Sequence, residues 1–180
     1  TMMLVRLDPK QKATTVLSVP RDLKVPIPGH GVAKINDAYA LGGPNLAIKT
    51  LRELTGLKIH HVVNVNFKGF RSAVNLFDCF YVDVDRRYFH SNVGVPVSRR
   101  YDAIDIQPGY QRLCGIDALD YVRFRYADTD LVRAARQQDF LRQAKGQIGL
   151  SKVFSDRKEL LRIFGRYTDT DIRSDEAILR

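Results

Sequence analysis

The chain has 180 residues, 29 Lys+Arg against 20 Asp+Glu for a formal charge of +9, and a hydrophobic content of 44%. That length is the ordinary size of one domain, here 1–180, and the composition excludes a disordered or strongly acidic class. A fold of this size buries roughly 70% of its unfolded surface, so it needs neither a metal nor a disulfide to form. No apolar run reaches the ~18 to 20 residues of a bilayer span, and no signal peptide opens the chain, so the polypeptide reads as soluble. Because it starts at Thr1-Met2-Met3 with no leader, it reads as a domain cut at both ends from something longer.

The positive excess favours an anionic partner: nucleic acid, an acidic membrane surface or a phosphorylated small molecule. A nucleic-acid reader gathers its Lys/Arg into a tract with interleaved aromatics. Here the densest basic spacing runs over 120–145 and is mixed with Asp, which reads as a pocket and not a stripe. Cys79 and Cys114 lack metal-ligand spacing, so zinc is not expected, and either one disulfide or two buried thiols fit.

Met2 to Leu7 and Ala13 to Val19 are β-rich runs around Asp8-Pro9-Lys10-Gln11-Lys12, a hairpin pattern. The passage Pro26-Ile27-Pro28-Gly29-His30-Gly31 reads as an exposed loop. Lys34 to Ala40 is a short helix ended by Gly42-Gly43, with Asn36 as its cap, and Pro44 suits the first turn of a second helix. Lys58 to Phe67 reads as a buried strand, Gly69 to Leu76 as helix, and Phe80 to Val84 and Asp102 to Ile106 as strands. Pro108-Gly109 is a turn, and Gly115 to Asp120 a short helix leading into an extended Tyr121 to Arg125. Leu131 to Gln147, Lys158 to Phe164 and Ser174 to Arg180 are helical by composition. Strands interleaved with helices make an α/β protein: a mixed central β-sheet flanked by helices on both faces.

The most informative segment is 121–138, with four arginines, two aspartates and two glutamines in eighteen residues. If 121–125 is extended, Arg123 and Arg125 point the same way. On a helix, Arg133, Arg136 and Gln137 share a face. Convergent arginine forks suit phosphate or pyrophosphate, which they bind bidentately. Asp128 and Asp130 would pair with the arginines, orient them or accept a proton, and an Asp before a helix is equally a common N-cap. The bland alternative is a solvated basic helix. Arg21 follows Pro20 at a strand end, and Lys34 and Asn36 offer a further cation and an amide. His60 and His61 are adjacent, so on a strand they face opposite ways and do not form a metal pair. There is no P-loop, GxGxxG or Gly-x-Ser-x-Gly elbow.

Taken in order, six segments resemble the LytR-CpsA-Psr family of cell-wall glycopolymer transferases. They are Ser18-Val19-Pro20-Arg21-Asp22; Lys34-Ile35-Asn36-Asp37-Ala38-Tyr39 with Gly42-Gly43; Val65-Asn66-Phe67-Lys68-Gly69-Phe70; Tyr81-Val82-Asp83-Val84; Leu113 to Arg125; and Asp128 to Leu141. The resemblance implies a membrane-anchored, extracytoplasmic enzyme of Gram-positive bacteria. Such an enzyme moves a glycopolymer from a polyprenyl-pyrophosphate carrier to peptidoglycan, with arginines and Mg2+ at the pyrophosphate and the prenyl tail in a hydrophobic tunnel. By motif, Arg21, Arg123, Arg125, Arg133 and Gln137 match the pyrophosphate-binding positions, and Asp130 matches the acidic one. Arg21, Asp130 and Arg133 are the catalytic candidates, and Lys34, Asn36, Asp128 and Arg136 form a supporting set. The expected partners are the lipid-linked glycan, the peptidoglycan acceptor and the membrane surface, with no nucleic acid.

Two departures stand out. The family's magnesium-binding aspartates precede the first matched strand, and this chain begins after them, so no metal ligand is assigned. The family's Gly-Gly before Tyr81 reads Asp78-Cys79 here, and the small polar residue before Gly115 is Cys114. Two unusual cysteines at two otherwise typical positions point to a Cys79–Cys114 disulfide, permitted by an oxidising exterior. A non-catalytic polyprenyl-phosphate or lipid-binding module is the alternative reading, and a basic nucleic-acid-binding domain a third. Met3, Val5, Val16, Val63, Val65 and Phe67 are candidates for core or tunnel lining.

Overall fold

The computed structural model describes residues 2–100, 103–126 and 128–172. The chain forms two compact units: the first runs to Val63 and takes back a short segment from Thr170, and the second begins at Asn64. In the first unit, β1 (Met2–Asp8) pairs antiparallel with β2 (Ala13–Val19), from Met2 opposite Val19 to Asp8 opposite Ala13. Asp8 builds the turn, its Oδ1 accepting from Lys10 N and Gln11 N, each at 3.1 Å. Strand alternation turns Met2, Leu4 and Val19 to the core and leaves Val5 and Leu7 exposed.

The proline-rich passage is not a loop throughout. β3 (Lys24–Ile27) and β4 (Gly31–Lys34) form a second antiparallel hairpin. Pro28 and Gly29 occupy the central positions of its turn, Gly29 has φ 79° and His30 N donates to Ile27 O at 2.9 Å. That is the arrangement a Pro-Gly type II turn requires. α1 (Ile35–Thr55) is broken at Gly42 and Gly43, the latter at φ 62°, and Pro44 restarts it as the sequence predicts. Its N-cap position is Lys34, not Asn36, which lies inside the helix with its N–H donated to Arg21 O at 3.1 Å. Ile35, Ala38 and Ala47 pack with Val19, Val25 and Ile27 into the core of this unit.

The run expected as a buried strand over Lys58 to Phe67 yields only β5 (Val63–Val65), and all three of its residues are exposed. His60-His61 and Asn64 break the apolar alternation, and Asn66 ends the strand by capping the next helix, its side chain accepting from Gly69 N at 2.9 Å. None of the six core or tunnel candidates belongs to the buried core: Val5, Val63, Val65 and Phe67 are exposed, Met3 and Val16 half-buried.

In the second unit α2 (Phe67–Leu76) is followed by β6 (Phe80–Val84), β7 (Tyr88–His90), a 3-10 turn at Val97–Arg99, β8 (Ile104–Ile106) and β9 (Gly109–Leu113). Then come α3 (Gly115–Arg123), α4 (Asp130–Gln147), α5 (Leu150–Ser155), α6 (Arg157–Tyr167) and β10 (Thr168–Thr170). β6 pairs antiparallel with β9 and β7 with β8, and β10 is the sheet neighbour of β5. The mixed α/β class holds, with the described strands joined two by two in small sheets. Residues 174–180, expected to be helical, and Asp102 lie outside the described residues.

Two devices fix this unit. The second edge of β6 is closed by α4 side chains: Gln147 accepts from Tyr81 N at 2.8 Å and donates to Tyr81 O at 2.7 Å, and Gln143 accepts from Asp83 N at 2.9 Å. Two glutamines thus supply the ladder partner an edge strand lacks. The second device is the Cys79–Cys114 disulfide, with Cα atoms 4.4 Å apart, which joins the approach to β6 with the start of α3. Asp78 and Cys79 hold φ values of 61° and 69°, a left-handed region in which glycine is the usual occupant. Here the disulfide, a 3.1 Å hydrogen bond from Arg112 to Asp78 O and a 3.1 Å contact of Lys152 with the Asp78 carboxylate hold them there. Phe80, Val82, Val84, Tyr88, Tyr121, Phe124 and Phe140 form the core between strands and helices.

Candidate anion-binding site

Tyr121 to Arg123 are helical, so the expected extended run with Arg123 and Arg125 on one strand face is replaced by a helix end. The cause lies on α4, two of whose polar side chains bind the last carbonyls of α3. Arg136 Nη1 donates to Tyr121 O at 3.0 Å and to Phe124 O at 3.1 Å, and Gln137 Nε2 donates to Val122 O at 2.8 Å. Helix C-termini leave such carbonyls without intrahelical partners. Both side chains are buried, which rejects the solvated-helix reading for this face of α4.

Arg136 is held in turn. Its Nε donates to Tyr88 Oη at 3.2 Å and its Nη2 to Asp128 Oδ2, while Arg86 donates to the other oxygen of Asp128. Tyr88 donates from its hydroxyl to Asp85 at 2.6 Å, and burial with that bond pushes the Tyr88 phenol up. Burial also pushes the Tyr121 phenol well above the usual range. Asp128 and Arg136 are therefore the buried frame behind the helix end. Thr129, not either aspartate, caps α4, its Oγ1 accepting from Val132 N at 3.3 Å.

In front of this frame lies a cavity of about 330 Å3 lined by Ile104, Asp120, Arg123, Phe124, Arg125 and Tyr126. Arg123 and Arg125 reach it from either side of Phe124, whose carbonyl Arg136 pins. Asp130 Oδ1, at the start of α4, lies 2.9 Å from Arg133 Nη2 and 3.7 Å from Arg125 Nη2. The Arg123 guanidinium carbon stands 4.0 Å from the centre of the Phe67 ring. Two guanidinium groups joined through Asp130, with that of Arg123 on the same cavity as Arg125, have the charge and fork geometry that suit phosphate oxygens.

Of the residues singled out in the sequence, Arg123, Arg125, Asp130 and Arg133 are brought to this place, with Asp128, Arg136 and Gln137 behind it. Arg21, Lys34 and Asn36 belong to the first unit. There Lys34 Nζ bonds Asp22 at 2.8 Å, which raises the ammonium above its ordinary value, and Arg21 O receives the Asn36 N–H. Sequence reasoning missed Phe67 as an arginine partner, Arg86 and Tyr88 as parts of the frame, and Asp120 and Tyr126 as cavity walls. Asp120 alone had a signal, standing one helical turn before Arg123.

The LytR_cpsA_psr family model matches residues 1–179. The chain is 37% identical over 139 residues to the polyisoprenyl-teichoic acid–peptidoglycan teichoic acid transferase TagT of Bacillus subtilis (strain 168), covering 77% of this chain and 42% of that protein. It is 31% identical over 184 residues to the corresponding transferase TagU of Oceanobacillus iheyensis, covering 98% of this chain and 54% of that protein. A solved structure of TagT bound to LI-WTA superposes with a TM-score of 0.73 at 30% identity, over 98% of this chain and 64% of that one. The chain thus spans about half the length of the curated relatives it matches. The six motif blocks in order, the fold and the family match over residues 1–179 agree, and the chain belongs to the LytR_cpsA_psr family.

Proposed function

We propose that this chain is the catalytic domain of a phosphotransferase that moves a glycopolymer from a polyprenyl-pyrophosphate carrier to peptidoglycan, on the extracytoplasmic face of the cell membrane. The observation that carries it is the Arg123–Arg125 cavity with Asp130 joining Arg125 to Arg133. The names of the relatives, teichoic acid transferases acting between polyisoprenyl-linked polymer and peptidoglycan, support it. The disulfide suits an oxidising exterior, and the +9 charge an anionic membrane. Within the second unit, exposed Val65 and Phe67 are apolar surface of the kind a prenyl chain covers.

In this reaction an acceptor hydroxyl attacks the sugar-proximal phosphorus. A new P–O bond forms, the bond to the bridging oxygen breaks, and its electron pair leaves on polyprenyl phosphate. Positioning and charge neutralisation are what such a step needs from protein. Arg123, Arg125 and Arg133 clamp the diphosphate, and Asp130 orients two of them and takes the acceptor proton. Gln137 acts by holding the Val122 carbonyl, and Arg21 enters on the resemblance alone. Water in place of the acceptor gives pyrophosphate hydrolysis.

Magnesium does not fit the residues described. Asp128 is bonded to Arg86 and Arg136, and Asp130 to Arg125 and Arg133; among the described residues no three His, Cys, Asp or Glu side chains cluster to hold a metal. The same commitment of both aspartates favours the second reading, a polyprenyl-pyrophosphate-binding module without turnover. Incubating the chain with lipid-linked glycan and peptidoglycan separates the two. Release of polyprenyl phosphate by the wild type and its loss in Arg133→Ala support transfer, whereas binding without release supports the module.

A further inference from the structure

We infer that Phe67 is a positioning residue for Arg123, its ring holding the guanidinium ready for the anion; the inference rests on the anion-binding reading of this site. The geometry starts at the other end of the same helix pair. Gly115, the first residue of α3, packs so closely on α2 that an added Cβ would stand 2.9 Å from Arg71 O and 2.9 Å from Asn75 Oδ1, and its N–H donates to Asn75 at 2.8 Å. Arg123, the last residue of α3, lies over Phe67, the first of α2, at 4.0 Å. The two helices therefore run antiparallel, touching through a glycine at one end and through a ring and a cation at the other.

Phe67 itself is fixed. Asn66 caps its helix, Asn66 N donates to Tyr167 O at 3.1 Å, and Gly69, one turn in, abuts the Tyr167 side chain. Yet the residue is 55% exposed and absent from the buried core, so packing does not account for a phenylalanine at this position. A ring engages the face of a guanidinium and leaves the N–H edges, the part that grips phosphate, directed elsewhere. Arg123 is an exposed side chain with four rotatable bonds, and a ring that narrows its rotamers reduces the entropy lost when an anion binds.

The test uses inorganic pyrophosphate, a probe with no prenyl tail, so that direct contact of Phe67 with a lipid does not register. Dissociation constants are measured by calorimetry for wild type, Phe67→Leu, Phe67→Trp, Arg123→Ala and the Phe67→Leu, Arg123→Ala double variant, each checked for unchanged melting. Phe67→Leu is expected to weaken binding roughly 2- to 5-fold, with Phe67→Trp retaining it, since tryptophan is the better cation partner. In the Arg123→Ala background Phe67→Leu is expected to add nothing. The inference is overturned if Phe67→Leu binds as wild type while Arg123→Ala is weakened, or if Phe67→Leu weakens binding equally with Arg123 absent. If wild type does not bind pyrophosphate, or Arg123→Ala binds it as wild type does, the anion-binding reading fails and this inference with it.

Discussion

Arg136 and Asp128 form an ion pair whose side chains are 3% and 1% exposed. Charges withdrawn from water this far persist only when their hydrogen bonds are satisfied, and here Tyr88, Tyr121 and Phe124 supply the remaining acceptors to Arg136. Replacing Asp128 by Asn leaves a buried guanidinium uncompensated. We expect a loss of roughly 3–5 kcal/mol in urea unfolding. Asp130→Asn, at a partly exposed pair, should cost no more than about 1 kcal/mol. Equal stabilities of the two variants would show that Asp128 is not the counter-charge of the frame.

The disulfide makes a second stability prediction. It closes a loop of 35 residues, and loop-closure entropy for that length corresponds to about 4 kcal/mol. Reductant should lower the melting temperature of the wild type and leave a Cys79→Ser, Cys114→Ser variant unaffected at its own lower value.

Alkaline pH tests the burial of Tyr88 and Tyr121. Their folded-state values lie above the ordinary phenol value of about 10. A group whose value is raised on folding contributes stability that is complete below the unfolded value and is lost as pH rises through the folded one. Stability should therefore decline above about pH 10. Phe replacement of Tyr121 should flatten that decline, read by denaturant titration at stepped pH.

Arg125 faces the cavity and contacts Asp130 at 3.7 Å. Lysine keeps the charge and loses the planar fork, so Arg125→Lys should reduce transfer by roughly 10-fold or more, the loss of one charge-assisted hydrogen bond. Full transfer by this variant would remove Arg125 from the clamp.

The sequence made much of this legible through local chemistry. The β-rich runs Met2–Leu7 and Ala13–Val19 around their turn, the Gly42-Gly43-Pro44 break and the pairing of Cys79 with Cys114, the last through the family resemblance, all reappear in the fold. What escaped depends on contacts between distant segments. Arg136 looked like one more cation on a helix face, but its role comes from carbonyls 15 and 12 residues away, which nothing in the local pattern discloses. Phe67 counted as apolar, hence as core or tunnel, because only the α2–α3 packing brings Arg123 to it. The Pro26 to Gly31 segment differs for the opposite reason: its two prolines favour a loop by local pattern, whereas Pro28-Gly29 is the turn that makes a hairpin.

The most direct test of the central claim is native mass spectrometry of the purified chain with added polyprenyl pyrophosphate, repeated on an Arg123→Ala, Arg125→Ala variant. The account predicts a lipid adduct on the wild type that the variant loses. A variant that retains the adduct, or a wild type that binds soluble polyanions but no lipid, would contradict it.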